Sequence, residues 1–94
     1  LVTKKESLVF KNCSNILINI ADDINRIEFY NCSNITLTLK KLLGGIYSKN
    51  SDIEILISKN IYNLEIENSF IKLSKNIYKK IYFVQKFKSK IFIQ

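Results

Sequence analysis

The sequence predicts an all-β chain wound as a short parallel β-helix, a solenoid with coils of about 19 residues. Three observations carry that expectation. The segment FKNCSNILINI, starting at Phe10, returns nineteen residues later as FYNCSNITLTL, starting at Phe29. Asparagine recurs at Asn12, Asn31, Asn50 and Asn68, at intervals of nineteen, nineteen and eighteen. Apolar side chains alternate with period two and are mainly β-branched or aromatic, whereas Pro is absent and Ala occurs once. Alternation of that kind lines one face of a strand.

Taken in order, Leu8 and Phe10 open the series. Three columns then recur at the coil period. The first is Ile16, Ile18 and Ile20, followed by Ile35, Leu37 and Leu39, then by Ile53, Ile55 and Ile57. The second is Ile27 and Phe29, then Ile46 and Ser48, then Leu64 and Ile66, and the third is Ile24, Leu43 and Ile61. Beyond Asn68 the spacing loosens, but Ile71 and Leu73, Ile81 and Phe83, and Ile91 and Ile93 keep the alternation. A hairpin meander would not set like residues opposite one another. In a parallel coil each residue stacks on its equivalent about 4.8 Å away, so the same type recurs in the same place. Asn12, Asn31, Asn50 and Asn68 are expected to form a buried or half-buried amide ladder, with Cys13 stacked on Cys32. Hairpin dipeptides such as NG and DG are missing, in keeping with this.

Ninety-four residues make one domain, 1–94, with two open ends that invite pairing with another chain. Residues 1–7 (LVTKKES) are polar and suit a cap at one end. Residues 79–94, carrying Phe87, Ile91, Phe92 and Ile93, suit an end cap or dimerisation segment at the other, so a homodimer through end or edge strands is expected. The chain begins with Leu, as a trimmed chain or fragment would.

Composition excludes much chemistry. Net charge is +7, but Arg26 is the single arginine and the lysines are interleaved with Glu28, Glu54, Glu65 and Glu67. That pattern suits a solvated surface or an acidic protein partner better than nucleic acid, whose readers rely on Arg forks and stacked aromatics. No apolar run has the length of a membrane span, so no membrane contact is expected. Histidine is absent, which removes Ser-His and Cys-His nucleophile pairs, and two cysteines without a CxxC do not make a zinc site. Neither metal nor cofactor is expected. Cys13 and Cys32 suit free, small apolar fillers. Asn12, Asn31 and Asn34 begin glycosylation sequons, but the first two already have a stacking role. Gly44-Gly45 suits a corner between coil strands, since no P-loop Lys-Ser or Lys-Thr follows. Asp22-Asp23 suits an exposed turn rather than a metal site. Tyr47, Tyr62, Tyr78, Tyr82 and Phe87 divide between core and rim, with some suited to an interface.

The stretches SLVFKNCSNILINI, INRIEFYNCSNITLTL, GIYSKNSDIEILI and IKLSKN followed by KIYFVQ resemble the C-terminal domain of cyclase-associated proteins. The resemblance runs from Ser7 to Ile93, and its more specific parts are the Asn-Cys turn and Leu73-Ser74-Lys75-Asn76. It implies a right-handed parallel β-helix of the cytoplasm and cytoskeleton, which binds ADP-loaded monomeric actin and promotes exchange of ADP for ATP. It also implies dimerisation by exchange of C-terminal strands. In that family a further strand hairpin follows the position of Ile93, whereas this sequence stops at Gln94. The family's actin surface is an exposed strand face rather than a motif. Lys40, Lys41, Lys49, Lys59, Lys72 and Lys75 are the outward positions able to meet an acidic actin surface. The resulting expectation is a binding module, not an enzyme. An alternative is the tubulin-folding cofactor C domain, which has a similar coil and activates tubulin's GTPase through an arginine finger. Arg26-Ile27 would open the strand as that arginine does, but Asn25 and Glu28 replace the family's flanking Gln and His. An extracellular adhesin or carbohydrate-active coil would call for clustered carboxylates that are not present.

Overall fold

A computed structural model describes residues 7–57 and 59–94. The polar segment expected to cap the first coil lies outside the described residues but for Ser7, as do the side chains of Asp22, Lys41, Leu43 and Ile57. The chain is a parallel β-solenoid of about four turns with about 19 residues per coil. Its elements are β1 (Ser7–Lys11), β2 (Ser14–Tyr30), β3 (Ser33–Lys49), β4 (Asp52–Ile57), β5 (Asn60–Glu67), β6 (Phe70–Leu73), a single helical turn α1 (Lys75–Tyr78), β7 (Ile81–Phe87) and β8 (Lys90–Ile93). All strand pairs are parallel, β1–β2–β3 followed by β3–β4–β6–β8 on one side and β3–β5–β7 on the other.

One corner recurs at every level. Asn12, Asn31, Asn50, Asn68 and Lys88 all take positive φ, between 49° and 56°. Asn is the L-residue that tolerates this region best, because its short amide bonds locally. The backbone N–H of each corner Asn donates to the carbonyl ending the strand one coil on, as Asn31 does to Lys49 at 3.0 Å and Asn50 to Glu67 at 3.0 Å. The next residue is Cys13, Cys32, Ser51, Ser69 or Ser89. Each serine hydroxyl donates to the carbonyl two residues back, and accepts the N–H of its equivalent one coil earlier. Ser51 Oγ accepts from Cys32 N at 3.0 Å, Ser69 Oγ from Ser51 N at 3.1 Å and Ser89 Oγ from Ser69 N at 2.9 Å. A tight, partly buried bend is thereby left with its backbone satisfied.

The amide ladder forms, but on the outside. Asn50 Nδ2 donates to Asn31 Oδ1 at 3.2 Å and Asn68 Nδ2 to Asn50 Oδ1 at 2.7 Å, all three residues being exposed. A second pair, Asn34 Nδ2 to Asn15 Oδ1 at 2.6 Å, stacks beside it. A positive-φ residue at a convex bend points its side chain away from the axis, which is why the ladder is not internal.

Between corners, the columns form the core. Ile16, Ile35, Ile53, Ile71 and Ile91 stack in register, as do Ile18, Leu37, Ile55, Leu73 and Ile93. Phe10, Phe29, Ser48, Ile66 and Lys86 make another column, in which the Phe10 and Phe29 rings stack at 5.4 Å. Ile27, Phe29, Leu37, Ile61, Leu64 and Ile71 are fully buried. Burial of side chains this size contributes about 1.5–3 kcal/mol each.

Two registers differ from those the sequence suggests. Ile24 stacks on Leu42 rather than Leu43, and Ile57 pairs with Thr38 rather than Leu39, because the ladder slips at irregularities within β2 and β3. The glycine pair sits at the register irregularity between Leu42 and Ile46, where β3 passes from the side of Lys40 to that of Tyr47. It lies within β3, where the slipped coils approach closely. A Cβ on Gly44 would stand 2.6 Å from the Asn25 carbonyl oxygen, and one on Gly45, at φ +107°, would collide with the Asn63 carbonyl.

The helical turn is the one break in the strand pattern. Ser74 caps it, accepting from Ile77 N at 3.2 Å, and Ile77 turns back into the core. Residues 79–94 form the last coil of the solenoid. β7 and β8 continue the coil through a fifth corner at Lys88-Ser89, with Gln94 N donating to Leu73 O at 2.9 Å. Removing the corner hydroxyl tests its importance. Ser51→Ala leaves the buried Cys32 N–H unpaired and is expected to lower unfolding free energy by about 1–3 kcal/mol in urea titration. Asn50→Gly, which keeps the φ, is expected to cost less than Asn50→Ala, which does not.

Candidate functional site

Two outward surfaces carry ordered polar chemistry. The first lies on the outer side of β1, the second halves of β2 and β3, and β5. Inward alternation leaves Arg26, Glu28 and Tyr30 facing outward, followed one coil on by Tyr47 and Lys49, then by Glu65 and Glu67. The Arg26 Nε donates to Glu28 Oε2 at 2.9 Å, its Nη1 lies 3.8 Å from Glu65 Oε1, and the guanidinium sits 5.6 Å from the centre of the Tyr47 ring. Tyr30 Oη donates to the other Glu28 oxygen at 2.6 Å, and Tyr47 Oη to Glu67 Oε1 at 3.4 Å. Asn63 Nδ2 donates to Glu65 Oε1 at 3.0 Å, while its own Oδ1 is buried without a partner among the described residues.

These contacts move the titrations. Glu28 is held below its ordinary value of 4.5, chiefly by the Tyr30 hydroxyl and next by the Arg26 hydrogen bond. Tyr30 is raised by that same bond to Glu28, and Tyr47 is raised by its partial burial and by Glu67. Chemically, this face is a closed network. Arg26 has two carboxylates and a ring around it, so its charge is already answered within the fold.

The second surface is basic and lies along the third side of the coil. Lys59 N donates to Lys40 O at 3.2 Å and Ile61 N to Lys80 O at 3.3 Å, so Lys40, Lys59 and Lys80 occupy successive levels. All three side chains are exposed. Lys75 and Lys79, four residues apart on the helical turn, present two further exposed ammonium groups on one helix face. The six lysines expected to meet a partner therefore separate. Lys40, Lys59 and Lys75 belong to this side, as does the backbone of Lys41. Lys49 lies on the Arg26 face between Tyr30 and Glu67, and Lys72 on the opposite face between Glu54 and Phe92, both half-buried. Lys79, Lys80 and Lys86 were not singled out from the sequence, although the run Tyr78-Lys79-Lys80 was visible there.

Cys13 and Cys32 are free thiols on adjacent levels, Cys32 buried and Cys13 partly so. Among the described residues, no three His, Cys, Asp or Glu side chains gather where a metal could be held. A polar groove of about 530 Å³ follows the corner stack past Ser33, Asp52, Asn68 and Lys90. No helix among the described residues is long and apolar enough to cross a membrane. No protein-family model, curated protein or solved structure matches this chain.

The Glu28 network has a direct readout. A depressed carboxylate stabilises the fold above its unfolded value, and that contribution is lost as pH falls through the lower folded value, so the window lies below 4.5. Carboxyl-detected NMR is expected to place the Glu28 midpoint there, and Tyr30→Phe to move it upward. A midpoint unmoved by Tyr30→Phe would assign the shift to Arg26 alone.

Proposed function

We propose that this domain is a binding module for ADP-loaded monomeric actin, and that it speeds exchange of ADP for ATP, as the cyclase-associated proteins it resembles do. The observation that carries the reading is the basic third side, where exposed Lys40 and Lys59 stand on adjacent coils joined by a backbone hydrogen bond, with exposed Lys75, Lys79 and Lys80 on the coil after them. Parallel winding sets these lysines on neighbouring coils of a fixed backbone, a basic patch suited to an acidic protein surface. Exposed lysine stems lose rotamer freedom on docking, so such charges add to association rate and selectivity more than to affinity. Nucleotide exchange asks for no catalytic group from this chain. Actin holds the nucleotide, and a partner that binds the ADP-releasing conformation more tightly shifts the population toward it.

This basic side is the better candidate of the two surfaces because, among the described residues, none of its lysines has a carboxylate within 4 Å, although Asp23 stands in register with Lys41. On the Arg26 face, Glu28 and Glu65 already neutralise the one guanidinium. An arginine finger for a GTPase would have to leave both carboxylates before it could reach a phosphate, which weighs against the tubulin-directed alternative.

The test is release of a fluorescent nucleotide from monomeric actin, with and without the domain. Acceleration is expected, and Lys40→Glu with Lys59→Glu is expected to weaken it by about tenfold or more. Lys49→Glu with Lys72→Glu, on the two other faces, is expected to have a smaller effect. Absence of any acceleration overturns the reading. Stimulated tubulin GTPase activity that Arg26→Ala abolishes would transfer the assignment to the alternative.

A further inference from the structure

Of the five residues that follow the positive-φ position of each corner, three are serines and two are cysteines, and the two cysteines are neighbours. Lys11 stands in register with Tyr30 before the bend, and Ser14 with Ser33 after it, so Cys13 and Cys32 hold equivalent places on adjacent levels. Ser33 N donates to Cys13 O at 2.9 Å, which joins the two levels at the bend itself. Neighbouring parallel strands lie about 4.7–4.9 Å apart, inside the range of roughly 4.4–6.8 Å that separates the Cα atoms of a disulfide.

The two side chains point the same way. Cys13 Sγ donates to Lys11 O at 3.4 Å, and Cys32 Sγ to the equivalent Tyr30 O at 3.4 Å. Cys32 Sγ also lies 3.4 Å from the carbonyl oxygen of Phe10, in the strand that leads into Cys13, so the buried sulfur leans toward the earlier coil. A thiol is a weak donor, and little is lost when it turns from these carbonyls. Nor does the bend demand sulfur. Ser51, Ser69 and Ser89 fill the same place with a hydroxyl that accepts the N–H of the corner before.

We infer that Cys13 and Cys32 are a reversible disulfide site whose oxidant is a low-molecular-weight disulfide. Cys13 is half-buried and Cys32 only 2% exposed, so Cys13 is the entering thiol and Cys32 the resolving one. The Cys13 thiolate attacks one sulfur of the small disulfide, forming a mixed disulfide and expelling a thiolate that takes up the proton Cys13 lost. Cys32 then attacks the Cys13 sulfur, and the second small thiolate leaves with the proton from Cys32. Two protein thiols are oxidised and one small disulfide is reduced to two thiols. The product closes one whole coil, including all of β2, into a covalent ring. A ring of that kind removes opened states of the coil, so the redox state of the surroundings sets how readily the β1–β2 end unravels.

Equilibration of the chain with glutathione and glutathione disulfide, read by intact-mass and peptide mass spectrometry, tests this. The Cys13–Cys32 cross-link is expected to exceed glutathione mixed disulfides at least about tenfold, because the second thiol is held beside the first. Hydrogen exchange of the β1–β2 ladder amides is expected to slow at least about tenfold in the oxidised chain, with the β5–β7 ladder unchanged. Cys13→Ser and Cys32→Ser each place the residue used at the later corners. Each variant is expected to keep its strands by circular dichroism and to lose the slowing. Persistent mixed disulfides in the unsubstituted chain, cross-links between chains, or thiols that react only after urea is added overturn the inference. A Cys13–Cys32 cross-link that leaves β1–β2 exchange unchanged overturns it as well.

Discussion

Every level of the solenoid is set by the same bend, an asparagine or lysine at positive φ followed by a cysteine or serine whose N–H and side chain bond across coils. Once that bend is fixed at Asn12, Asn31, Asn50, Asn68 and Lys88, the strands on either side of it have no freedom of register. A one-residue slip would turn every inward isoleucine outward. Register irregularities fall away from that bend, within β2 and β3, and Gly44 and Gly45 allow the backbones of Asn25 and Asn63 to come close.

The bend has an intrinsic cost, about 1–2 kcal/mol for each non-glycine residue in the left-handed region. Stacking offsets it in the middle levels with two amide bonds, from Asn68 to Asn50 and from Asn50 to Asn31. At the last corner Lys88 takes the same φ with no carboxamide to extend the ladder. The ladder and the apolar columns thus end at the same level, and the terminal coil carries bare Val84, Phe87 and Ile93.

Charge is divided in the same orderly way. On the Arg26 face, alternating acids, tyrosines and a guanidinium satisfy one another in the folded chain, so little attraction is left for a partner. Along the third side Lys59 follows Lys40, and residues 79–94 carry five lysines and no Asp or Glu. Partly exposed ion pairs contribute modestly to stability, but they decide which charges are free to act outward. The basic side proposed to meet actin belongs to the second group.

The coil was legible in the sequence because stacking demands the same residue type in the same place. The copied FKNCSNILINI and FYNCSNITLTL, continued at Asn50 and Asn68, determined the period, and the alternating isoleucines determined which side faces in. The periodicity could not place the bulges, so Leu43 was aligned where Leu42 stacks and Ile57 where the ladder had already slipped. It also placed the asparagine ladder indoors, since recurrence does not tell a convex bend from a packed column. Only the tertiary structure decided which lysines share a surface. Lys40 and Lys59 lie nineteen residues apart and touch through their backbones, while Lys49, nearer to both in sequence, faces another way. Coil stacking brings together residues one period apart and separates those half a period apart. Sequence therefore determined the repeating scaffold, and the winding of the chain determined its functional faces.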